Sequence, residues 1–330
     1  MKRHCLASLL CLSLIGVGID RPSIAGASAP SDERPKNSTP KVAAHREEVG
    51  TVQVAMKNVM YHYSEPIAAH IIQLQGRLTP TRPGSIVVFD DKNSFLLNVD
   101  SAEIAISCDA LARVMNQNVF SAADAPIKNL AISSKDGELI IKGQLHDKHG
   151  LTFEVEGTLS PNSDGRIRFH ADHVKAAHLP VKGLLDLLGL DLANLINTKK
   201  VHGVSADKDD LILNPEEIFP PPHIRGAITA VRLQGDEIVQ VFGTLQASNF
   251  AAKQPGNYMA YHDSDLRFGK LVMNDSDLIL VDMDPKDPFD FYLDHYKEQL
   301  VAGYTKTTPE FGLRVYTRDY NKLHKRVPSR

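Results

Sequence analysis

Three histidines, His170, His173 and His178, come nearest in type and spacing to a metal site. Zinc asks for three or four nitrogen, sulfur or carboxylate ligands that meet at one point. In an extended segment 166–172, however, His170 shares its parity with Arg168 and Asp172 on a polar face, while His173 points to the other side. The ligands would converge only across a bend, so structural or solvated histidines are the simpler expectation. His146 and His149 flank a polar turn, His-Asp-Lys-His-Gly, and read as solvated turn residues. A run of oxygens from Asp282 through Asp284 and Asp287 to Asp290 has the composition of a calcium loop, but it lacks the loop glycine and closing glutamate of an EF-hand. Asp287 followed by Pro288 already accounts for itself as a helix N-cap with a first-turn proline. A cation there is the second reading.

Nucleophilic and acid–base chemistry find no local signature. There is no Gly-x-Ser-x-Gly elbow, no phosphate-cradling glycine loop and no His-Glu-x-x-His pair. Asp90 and Asp91 are adjacent, so in an extended chain they face opposite ways and cannot share a cleft as glycosidase carboxylates do. Cys108 stands beside Ile106 and reads as a small buried side chain. These patterns predict a protein that is not an enzyme and needs no cofactor or metal.

The N-terminus begins with Lys2 and Arg3, continues apolar from Cys5 to Ile19, and reaches small residues around Ala25–Ala29. That is the pattern of a cleaved secretory signal peptide, since the apolar run falls short of the ~20 residues a membrane span needs. The expected location is secreted or periplasmic. Removing residues 1–25 leaves 34 basic against 39 acidic side chains, a net charge of −5, which argues against nucleic acid as a partner. It also leaves Cys108 as the single cysteine, so stability must come from packing instead of a disulfide. Lys322, His324, Lys325, Arg326 and Arg330 form a basic tail, either a solvated end or a transient contact with an anionic membrane surface.

Residues 26–50 carry Pro, Ser and alternating charge without apolar periodicity, which predicts a disordered leader. Residues 51–245 form the expected main domain, 246–257 a linker, and 258–330 a smaller C-terminal α+β unit. Strand alternation is clear at Val52, Val54 and Met56, at Val59, Tyr61 and Tyr63, and at Ile72 and Leu74. It is clearest across Leu130–Ala171, where Lys135-Asp136-Gly137, His146–Gly150 and Asn162–Gly165 supply turn chemistry for an antiparallel meander. Asp109 reads as the N-cap of a helix carrying Leu111, Val114, Met115 and Val119. Asp287 reads as the N-cap of another, with Phe289, Tyr292, Leu293, Tyr296 and Leu300 on its face.

The longest apolar helical pattern is Ala176–Lys200. At about 100° per residue, Val181, Leu184, Leu185, Leu188, Leu192, Leu195 and Ile196 share one face, while Leu187 and Leu190 fall outside it. Such a helix asks for apolar neighbours on two sides. The fold class expected is therefore α+β: a curled antiparallel sheet, a meander, packed on long apolar helices.

The glycine-interspersed strands, the Leu-rich segment entered through Leu179-Pro180, and the later strands Leu211–Leu213 and Gly226–Arg232 resemble secreted bacterial lipid-binding proteins of the tubular lipid-binding (TULIP) type over residues 99–242. The resemblance implies a sheet wrapped on a long helix with acyl chains held in the seam, and it carries no catalytic residues. The expected function is an extracytoplasmic carrier of lipid or another apolar ligand. Its seam would be lined by Leu111, Val114, Met115, Leu139, Ile141, Phe153, Val155, Phe169, Leu184, Leu187, Leu188 and Leu190. The same residues could instead form a dry core in a structural or interaction protein of the cell envelope. A hydrolase comes third, and oligomeric state stays open.

Overall fold

Alternation governs the chain from Val52 onward, and the strands it encodes are long. The computed structural model describes residues 50–146, 150–176, 179–180, 201–245, 250–251 and 254–323. The expected signal peptide, the expected leader to residue 49, Leu184, Leu187, Leu188, Leu190, His149, His178 and the tail from His324 lie outside the described residues. β1 (Val52–Ser64) and β2 (Ile67–Pro80) form a hairpin, followed by the short β3 (Val87–Val88) and by β4 (Phe95–Ser107), which pairs antiparallel with β2. Along β1 the buried positions pass from Val52, Val54 and Met56 to Val59, Tyr61 and Tyr63. The change of parity falls at Asn58, which adopts φ 51°, a left-handed conformation that asparagine tolerates. Its amide donates to Asn257 Oδ1 at 2.9 Å and its oxygen lies 2.8 Å from His70 Nε2.

Helix α1 (Cys108–Val114) runs into a π-helical turn, Met115–Val119. Its N-cap is Ser107, whose Oγ accepts from Ala110 N at 3.1 Å, so Asp109 sits inside the first turn. β5 (Ile127–Lys135), β6 (Glu138–Leu145), β7 (Leu151–Pro161) and β8 (Ile167–Ala176) then form the antiparallel meander. The two-residue β9 (Leu179–Pro180) joins β8, and β10 (Val204–Asp207) and β11 (Asp210–Leu213) extend the sheet on that side. Gly157 is required where β7 bulges against β8, because a Cβ there would lie 2.0 Å from the His170 carbonyl oxygen.

After the turn α2 (Pro215–Ile218), β12 (His223–Arg225), β13 (Ile228–Gln234) and β14 (Glu237–Gly243) return to the first sheet. They are followed by β15 (Tyr258–His262), β16 (Leu266–Phe268), β17 (Leu271–Met273), β18 (Asp277–Asp282) and β19 (Phe289–Tyr292). A 3₁₀ turn at Leu293–His295, α3 (Tyr296–Val301), β20 (Tyr304–Thr307), β21 (Leu313–Thr317) and α4 (Tyr320–Leu323) complete the described chain.

Among the described residues the large sheet has the order β13-β14-β4-β2-β1-β15-β18-β21-β20, with β12 alongside β4 and β19 alongside β1. The second sheet runs β10-β11-β8-β7-β6-β5, and a small third sheet runs β17-β16-β3. β15 pairs with β1, so strands on both sides of residues 246–257 share one sheet. One core cluster spans both larger sheets, from Val52 through Phe169 to Val315.

The α+β expectation of a curled sheet packed on long apolar helices is corrected by this architecture. The described residues are mostly β, their helices are short, and the sheets are not curled. The apolar helix expected after Pro180 lies outside the described residues. The helix expected from Asp287 instead begins as β19, parallel to β1. Phe289, Asp290, Phe291 and Tyr292 are all buried, and a strand buried on both faces satisfies four such side chains where a one-sided helix would not.

Candidate apolar binding site

The inner face of the second sheet and the helical segment 108–119 enclose a cavity. It is lined by Leu111 and Met115 from α1 and the π turn, by Phe120, and by strand residues Ile127, Leu130, Ile132, Leu139, Ile141, Phe153, Val155, Phe169, Val204, Leu211 and Leu213. Every described lining residue is apolar. The free space amounts to about 600 Å³ with its opening included, but room for water-sized occupants is about 40 Å³, so the cavity is a narrow slot. Met115 is the adaptable wall: an unbranched thioether changes rotamer more easily than the branched residues around it.

Local chemistry fixes this wall. Asn129 takes φ 53° and β5 slips its register between Lys128 and Ala131. The slip withdraws the Leu130 backbone from the ladder. Asn116 takes it up: its Oδ1 accepts from Leu130 N at 3.0 Å, and its amide donates to Leu130 O at 2.7 Å and Ala112 O at 2.9 Å. The opposite face of the sheet is charged. Glu154 sits between Lys142 (2.8 Å) and Lys175 (3.0 Å), whose hydrogen bonds hold its carboxyl down to about 2.

Of the residues expected from the sequence, Leu111, Met115, Leu139, Ile141, Phe153, Val155 and Phe169 meet in this cavity. Val114 is buried beside them without lining it. Leu184, Leu187, Leu188 and Leu190 lie outside the described residues. Val204, Leu211 and Leu213 were not expected to line it. Their signal was the alternation of β10 and β11; β11 pairs with β8 and β10 with β11, pairings that no local pattern encodes.

A second cavity lies on the large sheet, with about 490 Å³ of free space including its opening and a similarly narrow room of about 40 Å³. Tyr61, Tyr63, Phe89, Phe95 and Tyr261 give it an aromatic wall, completed by Met56, Ile71, Leu78, Leu97, Pro222, Met259 and Leu293. Tyr61 and Tyr63 meet edge to face at 5.2 Å, and Phe89 meets Tyr261 likewise at 5.5 Å.

The polar candidates resolve into internal pairs. His170 Nδ1 lies 2.6 Å from Asp210 Oδ1, with Arg168 3.7 Å from the same carboxylate. His173 stands opposite Glu156 in the strand register, while the Glu156 carboxylate accepts from Lys175 Nζ at 2.6 Å. In the Asp282–Asp290 loop the cation is Lys322, whose Nζ lies 3.0 Å from Asp284, 2.8 Å from Asp287 and 2.7 Å from Asp319. Lys322 holds the Asp284 carboxyl below its ordinary value, while burial raises Asp282 and Asp319. Asp290 accepts from Asn321 N at 2.9 Å and lies 2.5 Å from His62 Nε2. Among the described residues no three His, Cys, Asp or Glu side chains are grouped to hold a metal ion. Cys108 is fully buried, and burial pushes its thiol up to about 12. Among the same residues no helix is long and apolar enough to cross a membrane.

Compared with protein-family models, curated proteins and solved structures, the chain matches none.

Proposed function

We propose that this protein is a secreted or periplasmic binder of acyl chains, which it holds in the aliphatic slot between the second sheet and residues 108–119. One observation carries the reading: side chains from a helix, a π turn and six strands converge on one space without a described polar group among them. Burial of a chain there is driven by about 0.8 kcal/mol per methylene. The slot's narrowness means that Met115 and the half-buried Ile132 and Ile141 must give way as a chain enters. Because no charged group lines the slot among the described residues, a polar headgroup stays outside it, and the site selects chain length and shape over headgroup.

Native mass spectrometry of the mature chain purified without detergent tests this. The expected spectrum carries the added mass of one lipid, or gains it when palmitate is supplied. A bare mass that palmitate does not shift contradicts the reading.

A second reading, a non-catalytic interaction protein of the cell envelope, draws on a different observation. β20 ends the large sheet, all four of its residues are exposed, and Val301 and Phe311 beside it are 88% and 94% exposed. A concentration-dependent dimer that Phe311→Ser dissolves would favour it.

A further inference from the structure

Buried tyrosines normally find a partner for the hydroxyl. Tyr61, Tyr63 and Tyr261 are 8%, 8% and 4% exposed; their hydroxyls make no hydrogen bond among the described residues, yet none of them is among the fully buried polar atoms left without a partner, so each keeps some accessible surface. All three line the aromatic cavity. Tyr61 and Tyr63 are two residues apart on β1 and project to the same side, while Tyr261 comes from β15 on its neighbouring edge. The group is tight enough that charge on Tyr61 would be opposed by both Tyr261 and Tyr63. Three cavity-lining phenols that keep accessible surface and have no described hydrogen-bond partner are available to donate to a ligand atom.

We propose that this cavity is a second binding site, distinct from the aliphatic slot, for a flat, neutral, lipophilic molecule whose carbonyl or ether oxygen accepts hydrogen bonds from Tyr61, Tyr63 and Tyr261. The chemistry of the wall selects each property. The slot is thin and faced by Phe89, Phe95 and Pro222, so a planar ring enters with least displacement. The described lining residues are all uncharged, so a carboxylate or ammonium would be stripped of water without compensation. Burial pushes all three phenols above their ordinary range, and Asp294 adds to this at Tyr61. They remain protonated at physiological pH and act as donors to an oxygen acceptor. The inference stands apart from the acyl-chain reading and does not depend on it.

Three probes of one shape test it: 2-acetylnaphthalene, 2-ethylnaphthalene and 2-naphthoate, titrated into the mature chain by fluorescence. The chain contains no tryptophan, so naphthalene emission is read against a tyrosine background alone. The ketone is expected to bind one to one and at least about ten-fold tighter than the hydrocarbon, because a site built to hydrogen-bond rejects the analogue lacking the acceptor. The carboxylate is expected not to bind at pH 7. Tyr61→Phe and Tyr261→Phe should each erase the preference for the ketone while leaving 2-ethylnaphthalene affinity unchanged. If one of these variants fails to fold, Tyr63→Phe carries the same comparison. Equal affinity for ketone and hydrocarbon, a preference that survives the Phe variants, or no ketone binding overturns the proposal. Palmitate should not compete; a chain that binds the ketone but no palmitate would refute the aliphatic site alone.

Discussion

The two cavities differ in one chemical respect, and that difference separates what each can recognise. Under the second sheet, Leu139, Val155, Phe169 and their described neighbours present carbon and one thioether to the space between them. On the large sheet, a space of similar width carries Tyr61, Tyr63 and Tyr261. Hydrophobic burial is non-directional, so under the proposed readings the first wall would select length and bulk, whereas hydroxyls fixed on strands would select the position of an acceptor atom.

Substitutions sharpen that contrast. The largest effect is expected from Phe169→Ala, which removes a fully buried ring from the wall of the first slot and should cost about 3–5 kcal/mol by denaturant unfolding. A loss under about 1 kcal/mol would mean that the sheet collapses onto the space. Asn116→Ala strands the Leu130 backbone groups and should cost about 1–3 kcal/mol. It should also speed amide exchange at residues 129–131, and unchanged exchange would show that water replaces the side chain. Val155→Trp fills the slot; it should cost about 1–3 kcal/mol and abolish palmitate uptake while leaving 2-acetylnaphthalene binding intact. Loss of both ligands would merge the two sites into one.

Smaller effects are expected on the large sheet. Burial lowers the His70 imidazole below its ordinary value, with Glu237 opposing. The folded state therefore resists protonation more than the unfolded chain does. The stability this confers is complete above about pH 6.5 and is lost as pH falls from there through the folded value. His70→Gln should flatten the decline between pH 7 and 5, and an identical slope in both proteins would assign the decline elsewhere. Tyr63→Phe should change stability by less than about 0.5 kcal/mol, since it removes a hydroxyl that has no hydrogen-bond partner among the described residues. A loss above about 1 kcal/mol would reveal a hydrogen bond for that hydroxyl and weaken the case for a polar reader there.

The strands were legible because period-two burial is written directly in Val52–Met56, Val59–Tyr63 and the meander 130–171. So was much of the aliphatic wall, which follows from the parity of β6, β7 and β8. Helix content was not legible at Asp287. Asp-Pro followed by Phe289, Tyr292 and Leu293 fits a helix start as well as a strand, and only the parallel edge offered by β1 decides between them. The aromatic cavity was hidden for a related reason. Tyr261 meets Tyr61 and Tyr63 across two hundred residues of sequence, through pairings that no local pattern encodes. Lys322 was read as part of a basic tail because its three carboxylate partners lie 3 to 38 residues away.

Methyl-resolved NMR of the isotope-labelled mature chain, titrated with palmitate, tests the central claim most directly. Intermolecular contacts from the acyl methylenes to the methyls of Leu139, Val155 and Leu211, with Leu78 and Leu97 of the aromatic cavity undisturbed, is the predicted result. Silence at the first three, or contacts confined to the last two, would contradict it.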